Sequence, residues 1–158
     1  MAVTQDEFRA ALSRFPSGVT VVTTKDQGGE LHGITVSAFC SVSLDPPLVL
    51  ICVEKTTASH PALHDSGVFV VNILSEGQRE LSDHFASQLP DKFAGMEYLT
   101  GNHGLPILND VAAILECRVE REYDGGDHTI FLGAVEAVKV NDVRSLAYLH
   151  GDYRAIPH

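Results

Sequence analysis

The sequence predicts a mainly β fold, an antiparallel barrel of six or so strands carrying three peripheral helices. Three observations lead there. Apolar, β-branched stretches recur at short spacing between glycine, proline and aspartate: GVTVVTT, PPLVLICVE, VFVVNIL, VAAILECRVEREY and HTIFLGAVEAVKV. Two turns, KDQGG and DGGD, separate their flanking stretches closely enough to form hairpins. Helix-start signals or helical spacing mark only three stretches.

The elements follow in order. Thr4 and Glu7 form a T-x-x-E capping box, and Phe8, Ala11, Leu12 and Phe15 follow at helical spacing until Pro16 and Gly18 end the helix. GVTVVTT, the turn KDQGG and ELHGITVSAF read as a hairpin. PPLVLICVE is almost continuously apolar, which predicts a strand buried on both faces. ASHPALHDSG has Pro61 near a helix start, and VFVVNIL is a further strand. SEGQRELSDHFAS opens with a second capping box, Ser75 to Gln78, and spaces Leu81 and Phe85 four apart. From Gln88 to Asp110 no clear period holds, so this stretch is either a functional cover or contains short elements. VAAILECRVEREY, DGGD and HTIFLGAVEAVKV make the second hairpin, and SLAYLHGDYRAI closes the chain.

Composition narrows the function. At 158 residues, without repeats, low-complexity tracts or a linker, residues 1–158 are expected to form a single domain with an ordinary core. No apolar run approaches the ~20 residues that span a bilayer. The start, MAVTQDEFRAALSRF, lacks the basic-then-apolar layout of a signal peptide. A soluble cytoplasmic protein without a membrane partner is expected. A formal charge of −10 argues against nucleic acid, which needs clustered Lys and Arg. It leaves room for an anionic cofactor held by a few local donors. Three cysteines, Cys40, Cys52 and Cys117, without C-x-x-C spacing, do not suggest a disulfide framework or a thiolate zinc site. Cys52 and Cys117 sit in apolar runs as small core residues would.

Two polar stretches stand out. In HGITVSAFCSVSLDPP, Thr35, Ser37, Ser41 and Ser43 offer hydroxyls and accessible main chain that can read a flat ring bearing donors and acceptors; the commoner meaning of such a strip is a solvated serine face. In EKTTASHP, Lys55, Thr56, Thr57 and Ser59 lie between a strand and a helix start, which suits a phosphate; ordinary capping by Ser59 explains the same pattern. His60 and His64 stand four apart, but Pro61 lies between them and no third ligand is evident, so no metal site is expected. In YDGGDHTIF, Asp127 either fixes the tautomer of His128 or finishes the turn. SQLPDKFAGMEYLTGNHGLP is a candidate groove wall in which Lys92 and Phe93 could touch ligand, although an Asp-Lys-Phe turn is more often solvated. No G-x-G-x-x-G fingerprint or G-x-S-x-G elbow is present.

Over almost its full length the chain resembles the short-chain flavin reductases, the reductase partners of two-component flavin-dependent monooxygenases. The resemblance rests on FPSGVTVVTT, HGITVSAFCSVSLDPPLVLICV, FVVNILSEGQRELSDHFA, LECRVEREYDGGDHTIFLGAVEAV and LAYLHGDYR. T-x-S-A-F followed by S-V-S-L-x-P-P and a later G-D-H is the specific combination. It implies a mostly antiparallel, FMN-binding split β-barrel that forms a homodimer, reduces FMN or FAD with NADH (or NADPH), and releases reduced flavin by diffusion to a separate monooxygenase.

It further implies that Thr35, Val36, Ser37 and Ala38 contact the isoalloxazine, with Ser41 and Val42 at its edge. Lys55, Thr56 and Ser59 would hold the phosphate and ribityl chain, and Asn72 would lie near the flavin. His128, with Asp127, would face the nicotinamide, and Tyr153 would close over the dinucleotide. Hydride transfer between stacked rings needs positioning above all, so His128 is expected to orient the nicotinamide without being an obligatory acid or base. The alternatives are a redox module or sensor with resident flavin, and an FMN-dependent oxidase.

Overall fold

The structure is a computed structural model that describes residues 2–157. Seven antiparallel strands make the main sheet: β2 (Thr20–Lys25), β3 (Leu31–Val36), β4 (Phe39–Ser43), β5 (Leu48–Glu54), β6 (Val68–Ile73), β9 (Ala113–Gly125) and β10 (His128–Val140). Their order across the sheet is β3-β2-β6-β9-β10-β5-β4. A small sheet joins β1 (Ser17–Gly18), β11 (Leu146–Leu149) and β12 (Asp152–Ala155), and β7 (Tyr98–Thr100) pairs with β8 (Pro106–Leu108). The helices are α1 (Gln5–Leu12), α2 (Ser59–Ser66) and α3 (Arg79–Ala86). Both predicted hairpins are present as β2–β3 and β9–β10. Asp26 closes the first turn by accepting the Glu30 N–H at 2.9 Å, and Gly126, at φ 78°, supplies the left-handed residue of the second.

Burial follows strand period two. Strands β2 and β6 are buried on both faces: Val22, Phe69 and Val71 join one apolar cluster with Ile51 and Phe131, while Val21 and Val70 join a second with Phe85, Phe93 and Leu105. The sequence placed double-sided burial at PPLVLICVE instead. There only Val49, Ile51 and Val53 are buried, and Leu48, Leu50 and Cys52 are partly exposed. The cause is position in the sheet: β5 lies one strand from the edge, whereas the 88–112 segment and α3 pack on the second face of β2 and β6. Burial pushes the Cys117 thiol up to about 12, which makes it an inert core residue.

The Thr4–Glu7 capping box forms as the sequence predicts, yet no residue of α1 is buried. Phe8, Leu12 and Phe15 are 60%, 50% and 75% exposed. The second predicted box does not cap α3: Gln78 accepts the Ser75 N–H at 2.9 Å, but the N-cap is Gln78 itself, without a side-chain cap, so the helix starts three residues later than Ser75 would set it.

Asn72, expected near a flavin, has a structural place in the fold. It is fully buried, and its amide donates to the Val21 carbonyl at 2.9 Å while its oxygen accepts the Leu108 N–H at 2.9 Å. Nearby, Thr23 donates to the Pro106 carbonyl at 2.6 Å. Asn72 is a staple between the sheet and the β7–β8 hairpin. Replacing it with Ala leaves a buried N–H and a buried carbonyl unpaired, so Asn72→Ala is expected to lower stability by about 1–3 kcal/mol. Urea unfolding checks this; an unchanged midpoint would show that the side chain carries no staple.

Candidate functional site

As an edge strand, β3 pairs only with β2 and leaves main chain available along its other side. Beside it run the end of α3 with residues 86–92, and opposite lies the β5–α2 turn; together they bound a cleft of about 520 Å³. That volume suits a drug- or cofactor-sized ligand, for which about 300–1,000 Å³ is usual. Gly33 makes the wall possible. A Cβ there would stand 2.6 Å from Phe85 Cε1, so only glycine lets the Phe85 ring lie against the strand.

The sequence-predicted residues divide into three groups. Thr35, Thr56 and Ser59 line the cleft. The Thr35 hydroxyl donates to the Ser82 carbonyl at 2.6 Å, which ties β3 to α3. Val36 turns into the core, and its carbonyl accepts the Thr20 hydroxyl at 2.6 Å. Ser37 and Ala38 form the exposed link from β3 to β4, which carries exposed Ser41 and Val42 onward from the Thr35 end.

Lys55, Asp127 and His128 form the second group, at the β5–β10 margin beside Glu54, which lines the cleft. The Lys55 N–H donates to the Asp127 carbonyl at 2.9 Å. The Lys55 ammonium is ion-paired with Asp124 at the surface, and Lys55 does not line the cleft. The His128 Nδ1–H donates to Asp127 Oδ1 at 2.7 Å, and this bond is the first cause holding the Asp127 carboxyl below its ordinary range. Asp127 therefore both ends the turn and fixes the tautomer, leaving Nε2 to a ligand.

Tyr153 is the third case. Its hydroxyl donates to Asp83 Oδ1 at 2.7 Å and meets the Ser82 hydroxyl at 2.9 Å, with the Arg79 guanidinium 5.1 Å from the ring centre. The β11–β12 hairpin thus holds it against α3, where it supports the cleft wall through Ser82.

The sequence undervalued Lys92. Its Nζ donates to the Gly33 carbonyl at 3.0 Å and the Phe85 carbonyl at 2.8 Å, and it lines the cleft. Burial pulls its pKa down. Phe93 is a core residue. His84 Nε2–H donates to the Lys92 carbonyl at 2.6 Å and so pins this segment to α3.

At the opposite wall, the N-cap of α2 is Ala58 and not Ser59, without a side-chain cap; the His60 N–H donates to the Thr57 carbonyl at 3.2 Å and Pro61 has no N–H, so little donor capacity is left at this end. His60 and His64 go to separate partners: His60 meets the Thr129 hydroxyl at 2.7 Å and His64 meets Glu122 at 2.9 Å.

An antiparallel β scaffold thus carries an edge-strand cleft that gathers small hydroxyls and, among the described residues, one ammonium. The profile described as flavin reductase like domain matches residues 12–157, and the chain belongs to that family. It is 39% identical over 156 residues to the reductase subunit of a flavin-dependent monooxygenase of Rhodococcus jostii, covering 98% of this chain and 80% of that one. A stachydrine N-demethylase reductase subunit of Rhizobium meliloti is 41% identical over 147 residues, 93% of this chain and 64% of its own. The chain spans 47% of a second flavin-reductase relative from that organism. Among solved structures, a Streptomyces globisporus NADH:FAD oxidoreductase in complex with NAD and FAD fragments superposes with a TM-score of 0.92 at 37% identity, over 99% of this chain and 97% of that one.

The bond to Glu122 is the first cause that raises the pKa of His64, and it fastens α2 to β9. A folded-state pKa above the unfolded value of about 6.5 contributes stability that is complete below that pH and lost as pH rises through the raised value. The stability gap between the wild type and His64→Gln should therefore narrow from about pH 5.5 to about pH 8.5, a range set at about a unit below and two above the unfolded value. A gap independent of pH, in urea titrations, would show that the pair is not ionic.

Proposed function

We propose that the chain is an NAD(P)H:flavin oxidoreductase that reduces FMN or FAD, with NADH as the expected donor, and passes reduced flavin to a separate monooxygenase. The observation that carries this reading is the cleft, whose edge-strand main chain and hydroxyls suit a flavin ring while Lys92 suits its phosphate. Bound flavin supplies the hydride-accepting ring, so the chain need only hold, orient and shield. Thr35, with Ser37 and Ala38, reads the ring edge, while Thr56 and Ser59 meet the ribityl chain. His128, its Nδ1 committed to Asp127, presents Nε2 toward the nicotinamide carboxamide. The printed names of the Rhodococcus and Streptomyces relatives support the assignment.

The domain extends over the whole described chain and wraps as a split barrel. Strands β3 and β4 occupy opposite ends of the sheet, yet only Ser37 and Ala38 separate them. Flat, those edges would stand about 29 Å apart at ~4.8 Å per strand gap. The three peptide units between Val36 and Phe39 reach about 11 Å at most, which favours a strongly curled sheet. A homodimer accounts for the uncovered Phe8, Leu12 and Phe15. A cytoplasmic location agrees with three free thiols, Cys40 being exposed.

The direct test is NADH oxidation in air with FMN and FAD titrated separately. Saturable turnover that requires added flavin is expected; a yellow protein without turnover would favour a resident flavin. In the same assay His128→Ala should raise the nicotinamide KM about tenfold and change kcat little. A kcat loss above about 10⁴-fold with unchanged KM would make His128 a proton-transfer group instead.

A further inference from the structure

We propose that Asp26, Glu30 and His32 form a site for a divalent cation of the zinc class at the rim of the cleft. The site stands whether or not the cleft binds flavin. These residues bring together one imidazole and two carboxylates whose ligand atoms all lie within 4.8 Å of one another. The β2–β3 hairpin makes the set. Strand period two puts Glu30 and His32, two apart, on one side of the chain. The ladder that pairs Lys25 with Leu31 then continues one step, the Asp26 N–H donating to the Glu30 carbonyl at 2.9 Å, and so sets Asp26 across from Glu30.

Two further bonds hold the turn before any ion arrives. The Gly29 N–H donates to the Asp26 carbonyl at 3.1 Å, and the Glu30 N–H donates to Asp26 Oδ1 at 2.9 Å. The second of these fixes the Asp26 carboxylate and leaves Oδ2 for His32 Nε2, 3.3 Å away. A hydrogen bond between such groups usually spans about 2.7–3.2 Å. Two ligands each about 2.0–2.1 Å from one tetrahedral ion stand about 3.3 Å apart, which is the spacing found. The other His–carboxylate pairs, His128–Asp127 at 2.7 Å, His64–Glu122 at 2.9 Å and His103–Glu136 at 3.2 Å, gain no third ligand among the described residues.

Glu30 supplies the third ligand here. Its carboxylate is exposed and makes no hydrogen bond or ion pair among the described residues, so it is free to swing onto an ion. His32 binds through Nε2 with its ring proton on Nδ1. Three protein ligands that include an imidazole, with a fourth position left to water, match an open zinc site. Magnesium and calcium fit less well, because they call for about six or more oxygen ligands. Glu30 and His32 also line the cleft, so the ion offsets negative charge at its rim.

The test is calorimetric titration of the full chain with zinc chloride, for the wild type, Asp26→Asn, Glu30→Gln, His32→Ala and His64→Gln. Asp26→Asn keeps an oxygen for the Glu30 N–H, and Glu30 has no side-chain bond to lose, so both variants keep the turn. One zinc per chain is expected. Each of the three ligand variants should weaken it by about tenfold or more, His64→Gln should leave it unchanged, and a large excess of magnesium should not displace it. No uptake, or an affinity unchanged in any ligand variant, would overturn the site. Weakening in His64→Gln, or several weak sites that survive in His32→Ala, would overturn it in favour of scattered surface histidines. Displacement by magnesium would overturn the zinc class. Should His32→Ala not fold, ring-nitrogen NMR of the wild type carrying isotope-labelled histidine serves instead: zinc should move the His32 Nε2 signal, and movement at another histidine in its place overturns the proposal.

Discussion

Ser37 and Ala38 join the two opposite edges of a seven-stranded sheet, and most of the molecule follows from that short connection. The outer side of β3 has no strand partner, and α3 and the β5–α2 turn come alongside it there. The same connection carries the polar strip Thr35, Ser37, Ser41 from the cleft onto the next strand.

The second constraint is close approach. Gly33 admits the Phe85 ring, Phe85 packs on Phe93, and both belong to the cluster that includes Leu105 and Leu108. Apolar contact alone would leave the 88–112 segment poorly registered, since non-directional burial tolerates sliding. Directional bonds supply the register: Asn72 and Thr23 hold β8, and buried Glu116 accepts the Asn102 N–H at 2.6 Å. Thr35 and Tyr153 meet α3 at the same residue, Ser82, so the cleft wall and the C-terminal hairpin share one anchor.

Charge is economical here. In a chain of formal charge −10 most cations are paired at the surface, as Lys55 with Asp124 and Arg118 with Glu136. Such exposed pairs contribute little stability. Lys92 differs because main-chain carbonyls, not a carboxylate, hold it. Net charge therefore predicts little about the local field in the cleft.

What the sequence determined by itself is what depends on local pattern. The hairpins β2–β3 and β9–β10 and the Thr4–Glu7 box were legible because turn chemistry and periodicity act between near neighbours. So was the motif order that marks the family. Tertiary structure decided whatever needed a partner distant in the chain. It made Asn72 a staple to β8, bound Lys55 to Asp124, buried β2 and β6 on both faces, and brought Lys92 to Gly33. It also left the apolar face of α1 uncovered. The physical reason is common to all of these: hydrogen bonding, ion pairing and burial depend on distance in space, and residues 59 or 69 positions apart give no periodic signal of meeting.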